Sequence, residues 1–194
     1  MNIEQFFPTP VGFSKNTNHS KIKNKIIKAC LDIKNKTNSG GNNWASKVYN
    51  TCRTYNIHEN NSFKEINHYI FSEVNNFAHS LNFTGHKVAC SSSWFNVYKK
   101  YDYQEYHDHQ GEDISVVYFL KGSKKTGDLI FKSPEIPGVF SLFDPNNHLT
   151  FKHVRIKPEQ GLLVLFKSNL IHCVDQNKTN ETRMSLAYNF KVIQ

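Results

Sequence analysis

The segment Arg183-Met184-Ser185-Leu186-Ala187-Tyr188-Asn189-Phe190-Lys191-Val192 alternates between two kinds of side chain. Successive side chains of a β-strand point to opposite faces of the sheet. One face of this segment therefore carries Arg183 and Ser185. The other face carries the large apolar residues Met184, Leu186, Tyr188, Phe190 and Val192. The pattern predicts a strand with an apolar back that packs on helices and a polar front that lines a pocket.

The chain from Lys87 onward contains short alternating or apolar runs separated by turn residues. Its predicted strands are 87–99, 104–109, 113–121, 127–132, 148–156, 162–166, 171–175 and 182–192. Turns are expected where Gly, Pro, Asn and Asp cluster, as at Asp144-Pro145-Asn146-Asn147. About eight short strands after a helical first half favour a mainly β protein, a jelly roll with the helices packed on one of its sheets.

The first part of the chain has helical rather than strand periodicity. Apolar residues recur every three or four positions in 20–36 and again in 62–81, which predicts two amphipathic helices. Ser62, followed three residues later by Glu65, predicts a capping box at the start of the second helix.

Length and composition fit a single folded domain. The chain has 194 residues, of which 38% are hydrophobic. This composition supplies enough apolar volume for one core. We expect one domain spanning 1–194, in which 1–85 form helical support with a connecting loop and 86–194 form the β-core. Within the connection, the segment 40–61 is compatible with either a lid or an ordinary surface loop.

Charge, cysteine content and hydropathy weaken several other classes. No apolar run approaches the roughly 20 residues of a membrane span, and the N-terminus does not resemble a secretory signal, so we expect a cytoplasmic protein. The four cysteines show no metal-type spacing and are expected to be free thiols. The formal charge of +8 is compatible with nucleic-acid binding, but the lysines are spread along the chain, which favours a solvated surface.

Three histidines at two distant places form a candidate metal site. In a strand, His107 and His109 would project from the same face, while Asp108 would face away. His172 follows the apolar run 162–171, where a buried strand would deliver a polar side chain. A close pair of histidines alone is also typical of a polar surface, but the third histidine favours metal ligation.

The stretch before Arg183 is rich in turn formers and predicts a hairpin between the strands that carry His172 and Arg183. In this hairpin Asp175 pairs with Thr182. Ser185 would then lie opposite His172 and share a face with Arg183. The guanidinium matches a carboxylate in shape and charge, and the neighbouring hydroxyl adds a third hydrogen bond. The spacing favours a small dicarboxylate that binds the metal at one end and the guanidinium at the other.

These residues resemble the Fe(II)/2-oxoglutarate-dependent oxygenases, in particular the prolyl-hydroxylase-like branch of bacteria and phages. The matching stretches are 6–11, 94–98, 107–109, 114–120, 127–131, 161–166, 172, 183–185 and 189–190. The resemblance implies a cupin-like double-stranded β-helix that binds Fe(II), 2-oxoglutarate and dioxygen. It further implies conversion of 2-oxoglutarate to succinate, coupled to hydroxylation of a prolyl or other residue in a protein or peptide.

One position departs from the family pattern. The usual triad has two histidines and a carboxylate in an HxD arrangement, whereas position 109 is His. Two ligand sets are compatible with the sequence: His107, His109 and His172, or a set in which Asp108 replaces His109 through a local bulge. Same-face geometry favours the three-imidazole set. That set is neutral, so Fe(II) with a bound 2-oxoglutarate dianion would carry no net charge.

The resemblance also implies contacts to the co-substrate. Asn96 and Tyr98 lie on the strand before the first histidine, where the family often places polar contacts. Tyr118 lies near the position of a tyrosine that contacts the distal carboxylate, although Phe119 is an alternative match to that position.

Three other interpretations stay open. His148 or His153 is an alternative ligand on the strand predicted at 148–156. A cupin-type three-histidine dioxygenase would act without 2-oxoglutarate, but it would not need Arg183 and Ser185. A non-catalytic jelly-roll module for protein or nucleic-acid interaction would fit the basic charge, but it would not need three metal-competent histidines.

Overall fold

The computed structural model describes residues 8–40, 45–83, 85–134 and 152–193. The helices in these ranges are α1 (His19–Lys34) and α2 (Lys64–Ser80), and two short 3-10 turns, Ile57–Glu59 and Asn61–Phe63, precede α2. The strands are β1 (Val11–Lys15), β2 (Tyr49–Asn50), β3 (Lys87–Tyr98), β4 (Gln104–His107), β5 (Ile114–Lys121), β6 (Leu129–Lys132), β7 (His153–Ile156), β8 (Leu162–Lys167), β9 (His172–Val174) and β10 (Arg183–Ile193).

The strands form two antiparallel sheets. The larger sheet has six strands in the order β1-β8-β5-β10-β3-β2, and the smaller has four in the order β4-β9-β6-β7. The chain alternates between the two sheets from β3 to β6 and again from β7 to β10. This winding is a double-stranded β-helix, so the predicted fold is confirmed.

The helices cover the outer face of the larger sheet. Ile26 of α1 and Ile70 of α2 are buried in one apolar cluster with the back of β10. Tyr188 of β10 also donates a hydrogen bond from its hydroxyl to Oδ1 of Asn67 in α2, at 2.8 Å. The predicted apolar back is confirmed, since its members in this cluster are Met184, Leu186, Tyr188 and Phe190.

A second, smaller core fills the space between the sheets. Phe131 of β6 and Phe166 of β8 meet there edge to face, with ring centroids 4.9 Å apart. The polar front of β10 faces this interior, because the guanidinium of Arg183 lies over the rings of Tyr98 and Phe119, which belong to the same core. The fold therefore places a charged side chain inside a largely apolar cavity.

The predicted hairpin between the strands of His172 and Arg183 is wrong. β9 pairs with β4 and β6 in the smaller sheet, whereas β10 pairs with β3 and β5 in the larger one. The turn-rich stretch between them crosses from one sheet to the other. Asn177 stabilises the crossing, since its carboxamide donates to the carbonyl of Glu181 at 2.7 Å and accepts from the N–H of Thr179 at 3.1 Å. The side chains of His172 and Arg183 therefore enter the interior from opposite sheets.

Some boundaries also differ from the sequence prediction. β4 ends at His107 rather than at residue 109, and the first part of the chain contributes two short edge strands, β1 and β2, that were not predicted. The capping box is wrong as well. The side chain of Asn60, rather than that of Ser62, caps the turn before α2 by accepting from the N–H of Ser62 at 2.8 Å.

Parts of the sequence prediction lie outside the described residues. These are residues 6 and 7, the segment 41–44, the turn predicted at 144–147, and residues 148–151, which include His148. The described remainder of the segment 40–61 adds β2 to the edge of the larger sheet. In the part of the chain that the structure describes, neither helix is long and apolar enough to cross a membrane.

Candidate metal centre and carboxylate pocket

His107 and His172 lie opposite each other on paired strands of the smaller sheet. The pairing of β4 with β9 joins Gln104 to Val174 and His107 to His172, so β4 contains one extra residue, a β-bulge. The bulge lets Gln104 and His107 both face the interior although they are three positions apart. The ring centroids of the two histidines are 4.3 Å apart, and His172 is 3% exposed.

His109 reaches the same place from the loop after β4. Its backbone N–H donates to the carbonyl of Ser168 at 2.9 Å, and its ring packs beside Trp94 with centroids 5.5 Å apart. The candidate ligand atoms of His107, His109 and His172 all lie within 4.8 Å of one another. Two nitrogens that each lie about 2.1 Å from one ion are at most about 4.2 Å apart, so small side-chain movements would let the three imidazoles share one ion. The three histidines therefore converge as predicted, but His109 does so from a loop and not through strand alternation.

The alternative ligands do not join this cluster. The carboxylate of Asp108 accepts a hydrogen bond from the side chain of Gln110 at 3.4 Å on the exposed side of the loop. His153 is exposed on β7, where its ring lies 6.1 Å from that of Tyr106. Among the described residues, the three histidines are the metal-competent group.

Each Nδ1 atom of the cluster lies beside an oxygen that only accepts hydrogen bonds. The acceptors are the carbonyl of Glu105 for His107 at 2.7 Å, the carbonyl of Leu170 for His172 at 2.9 Å, and Oδ1 of Asn189 for His109 at 2.6 Å. Each neutral ring therefore carries its proton on Nδ1 and its lone pair on Nε2. Such partners fix the tautomer and orientation that metal ligation requires.

The three rings are neutral at physiological pH. Burial is the main reason why the pKa of His107 falls from 6.5 to about 4, and the nearby ring of His109 contributes. Burial also lowers the pKa of His109 and holds the pKa of His172 well below its ordinary value. A metal binds the neutral imidazole, so the site needs no proton release at neutral pH.

Arg183 is a fully buried cation in the same interior. Its side chain is 0% exposed, and its guanidinium carbon lies 4.6 Å from the ring centroid of Tyr98 and 5.3 Å from that of Phe119. Its Nε, Nη1 and Nη2 atoms have no hydrogen-bond partner among the described residues. Burial lowers the pKa of this guanidinium, yet Arg stays protonated in proteins. The N–H donors of this guanidinium are therefore not satisfied by the described residues.

Three further predicted residues lie beside Arg183. Its neighbour across the ladder is Tyr98, and the next inward pair is Ser185 with Asn96. Asn96 donates from Nδ2 to Oγ of Ser185 at 3.4 Å, while its buried Oδ1 has no partner in the described part of the chain. The hydroxyl of Tyr98 donates to the side chain of Gln104, and burial raises its pKa. The structure brings together these four predicted residues as one pocket.

Tyr118 does not belong to this pocket, which corrects the prediction that it contacts the co-substrate. Its hydroxyl lies 2.7 Å from Nδ1 of His19, and its ring packs in the cluster under the helices. Phe119 faces the interior instead. The run that forms β5 is buried on both faces, so alternation alone could not decide which of the two residues points inward.

Sequence reasoning missed two polar residues of the interior, Gln104 and Asn189. Asn189 had a detectable signal, since it continues the inward alternation of Arg183 and Ser185 along β10. Gln104 had none, because the bulge in β4 breaks the alternation that relates it to His107.

Fold and site together define a class of protein: a double-stranded β-helix that holds a metal ion and a small carboxylate side by side. Residues 92–189, slightly more than half of the chain, match the model of the 2OG-Fe(II) oxygenase family, and the chain belongs to this family. It is therefore an oxygenase that uses Fe(II), 2-oxoglutarate and dioxygen, as the resemblance implied. No curated protein sequence matches the chain significantly.

Solved structures with a similar fold include several prolyl hydroxylases. A prolyl-4-hydroxylase from Pseudomonas putida is 14% identical with a TM-score of 0.64, over 93% of this chain and 92% of that one. The viral collagen prolyl hydroxylase of Paramecium Bursaria Chlorella virus-1, solved with 2-oxoglutarate, is 13% identical with a TM-score of 0.59, over 94% and 96%. A Trichoplax adhaerens prolyl hydroxylase, solved with a hypoxia inducible factor peptide, is 15% identical with a TM-score of 0.65, over 93% and 76%. At these identities the likeness establishes a shared fold.

Proposed function

We propose that His107, His109 and His172 hold the iron of this oxygenase and that Arg183 binds the distal carboxylate of 2-oxoglutarate. The observation that carries the proposal is the buried guanidinium, whose nitrogens lack hydrogen-bond partners among the described residues. A buried charge without a counter-ion is costly, and a bidentate carboxylate would compensate this one. Ser185, on the same face of β10, adds a hydroxyl donor.

The donor set fits Fe(II). Imidazole is a suitable ligand for iron, and three neutral rings leave the whole charge of the metal to be balanced by the 2-oxoglutarate dianion. Oδ1 of Asn96 is an acceptor in the same pocket, and the aromatic rings beside the guanidinium keep water away from it. The protein therefore contributes orientation, charge balance and exclusion of water.

The reaction proposed is hydroxylation coupled to loss of carbon dioxide from 2-oxoglutarate. Bound Fe(II) supplies the redox chemistry with dioxygen. One oxygen atom enters succinate and the other forms the new hydroxyl group, so 2-oxoglutarate and the C–H bond together provide the electrons. Arg183 and Ser185 fix the co-substrate during this exchange, and the three histidines stay neutral as ligands.

The substrate proposed is a prolyl or other residue of a protein or peptide. Trp94 supports an apolar substrate group, since its ring lies beside His109 and the neighbouring position on β10 is the small residue Ala187. The Trichoplax enzyme, which shares this fold, was solved with a peptide. Both observations support a peptide substrate without identifying its sequence.

The test measures succinate formed by the iron-loaded protein with 2-oxoglutarate and dioxygen, with and without proline-containing peptides. We expect more succinate in the presence of an accepted peptide, together with a product that has gained one oxygen atom. His172→Ala should form no succinate. No gain of oxygen in any protein or peptide, with succinate formation unchanged, would reject the peptide substrate. Substrate oxidation that proceeds without 2-oxoglutarate would instead favour a cupin-type three-histidine dioxygenase.

A further inference from the structure

The three histidines of the metal centre are held in two different ways. His107 and His172 each donate from Nδ1 to a main-chain carbonyl two positions earlier in their own segment. His109 instead contacts side chains of two other strands, with Nδ1 2.6 Å from Oδ1 of Asn189 and 3.1 Å from Oγ of Ser115. A change of Asn189 can therefore remove the closer of these two partners and leave the acceptors of His107 and His172 in place.

The carboxamide of Asn189 is fixed on all sides. Its Oδ1 also accepts from the hydroxyl of Ser115 at 2.9 Å, and its Nδ2 donates to Oγ of Ser92 at 3.2 Å. The hydroxyl of Ser115 in turn lies 2.8 Å from that of Ser168. Asn189 is 7% exposed, so water does not compete strongly for these bonds. These contacts hold the carboxamide with Oδ1 toward His109 and Nδ2 toward Ser92.

This contact determines where the proton of His109 resides. A carboxamide oxygen cannot donate, so an approach of 2.6 Å to Nδ1 requires the proton on Nδ1. The lone pair is then on Nε2. His109 lies beyond the end of β4. The side-chain network and two backbone hydrogen bonds, one to Ser168 and one from Glu112, replace the ladder that positions the other two ligands.

We propose that Asn189 is the positioning residue that makes His109 a metal ligand, by fixing its Nδ1–H tautomer from β10. Asn189 itself does not touch the metal. The inference rests on the proposed three-histidine site and extends it to the residue that allows an imidazole at the position of the family's usual carboxylate. The ligand of this site is a divalent metal ion with affinity for neutral nitrogen donors.

The experiment compares Asn189→Leu, which removes the acceptor at similar size, with Asn189→Asp, which keeps an acceptor. Ser92→Ala is the matched control, because it removes only the partner at the far end of the carboxamide. The tautomer of His109 is read in the metal-free protein at neutral pH by nitrogen-15 NMR. The affinity for Co(II), a spectroscopic probe of divalent metal binding, is measured by titration.

We expect Asn189→Leu to populate both tautomers and to lose about 10-fold to 100-fold in Co(II) affinity. Asn189→Asp and Ser92→Ala should keep the Nδ1–H tautomer and stay within about threefold of the original affinity, well short of that loss. An unchanged tautomer and affinity in Asn189→Leu would overturn the proposal. If that variant does not fold, Asn189→Asp still decides, since a folded Asp variant with lost affinity would overturn it too. Neither the tautomer nor the Co(II) affinity depends on 2-oxoglutarate. If Asn189→Leu lowers Co(II) affinity in a protein that does not turn over 2-oxoglutarate, this inference would be supported and the proposed function refuted.

Discussion

The two ends of the interior differ in how far the protein satisfies its own polar groups. At the metal centre, the Nδ1 atoms have acceptors at 2.6–2.9 Å. At the other end, the guanidinium of Arg183 has no hydrogen-bond partner in the described part of the chain. The metal centre is thus organised before anything binds, whereas the carboxylate pocket is completed only by an anion. Changes at the first end should affect metal affinity, and changes at the second should affect co-substrate affinity and the stability of the fold.

The largest effect is expected for His172→Ala, which removes the most buried ligand of the centre. His172 is 3% exposed and lies between the other two rings and the apolar core. Loss of a direct ligand should weaken Fe(II) or Co(II) binding by more than about 100-fold, beyond the loss from a change in a ligand's partner. Metal titration measures this, and His153→Ala on the exposed strand β7 is the control. An equal loss of metal affinity in both variants would contradict the proposal that the three-histidine cluster is the metal site.

A pair of neighbouring substitutions sharpens the composition of the metal centre. His109→Ala should also weaken metal binding by about 100-fold, because its candidate ligand atom lies within 4.8 Å of those of the other two histidines. Asp108→Ala should leave the affinity nearly unchanged, since its carboxylate contacts Gln110 instead. The reverse ranking of these two variants in a metal titration would show that Asp108 is the third ligand.

At the carboxylate end we expect Arg183→Met to separate binding from folding. Truncation of one partner of a buried, hydrogen-bonded charge pair typically costs 2–5 kcal/mol, so 2-oxoglutarate affinity should fall by at least about 30-fold. Metal affinity should stay the same. The free energy of unfolding of the ligand-free protein should rise by about 1 to 4 kcal/mol, since a buried cation is replaced by an apolar side chain of similar volume. The variant should therefore unfold at a higher denaturant concentration.

The control for this variant is Lys121→Met, which removes a positive charge from an exposed position at the end of the neighbouring strand β5. It should change neither quantity. Calorimetric titration with 2-oxoglutarate and urea unfolding measure the two effects. A lower stability of ligand-free Arg183→Met would mean that the guanidinium has a structural partner, and the contrast between the two ends would then be wrong.

The sequence predicted more of the metal centre than of its surroundings. The three histidines, Arg183 and Ser185 were predicted as site residues because each residue type has a distinct chemistry at its position, and the structure brings the three histidines together. Their relation in space was predicted incorrectly, since the hairpin of β9 and β10 does not form. Local turn formers indicate that the chain reverses, but they do not specify whether the next strand joins the same sheet or the opposite one.

Two other residues show the limit of alternation. Periodicity of two assigns a face only while a strand is regular and one of its faces is polar. The bulge in β4 breaks the first condition and hid Gln104. β5 breaks the second condition because it is buried on both faces, so alternation alone does not distinguish Tyr118, which the helices cover, from Phe119. Long-range packing decides such cases, and a single sequence does not contain it in readable form.

The last prediction concerns pH and tests whether the metal centre is organised in the metal-free protein. The pKa of His107 is lowered from 6.5 to about 4 in the folded state, mainly by burial. Between these values the unfolded chain binds more protons than the folded one, so stability is complete above about pH 6.5 and is lost as the pH falls through 4. Each unequal proton changes the free energy of unfolding by about 1.4 kcal/mol per pH unit.

Urea unfolding of the metal-free protein at several pH values between 7 and 4 measures this loss. His107→Gln should make the free energy of unfolding depend less steeply on pH. His153→Gln, an exposed histidine far from the cluster, should leave it unchanged. A divalent metal should shift the acid-induced loss to lower pH, because it binds the neutral rings that protons would otherwise occupy. If the two variants show equal pH dependence, the ring of His107 is solvated without metal, and the metal orders its own site rather than entering one already formed.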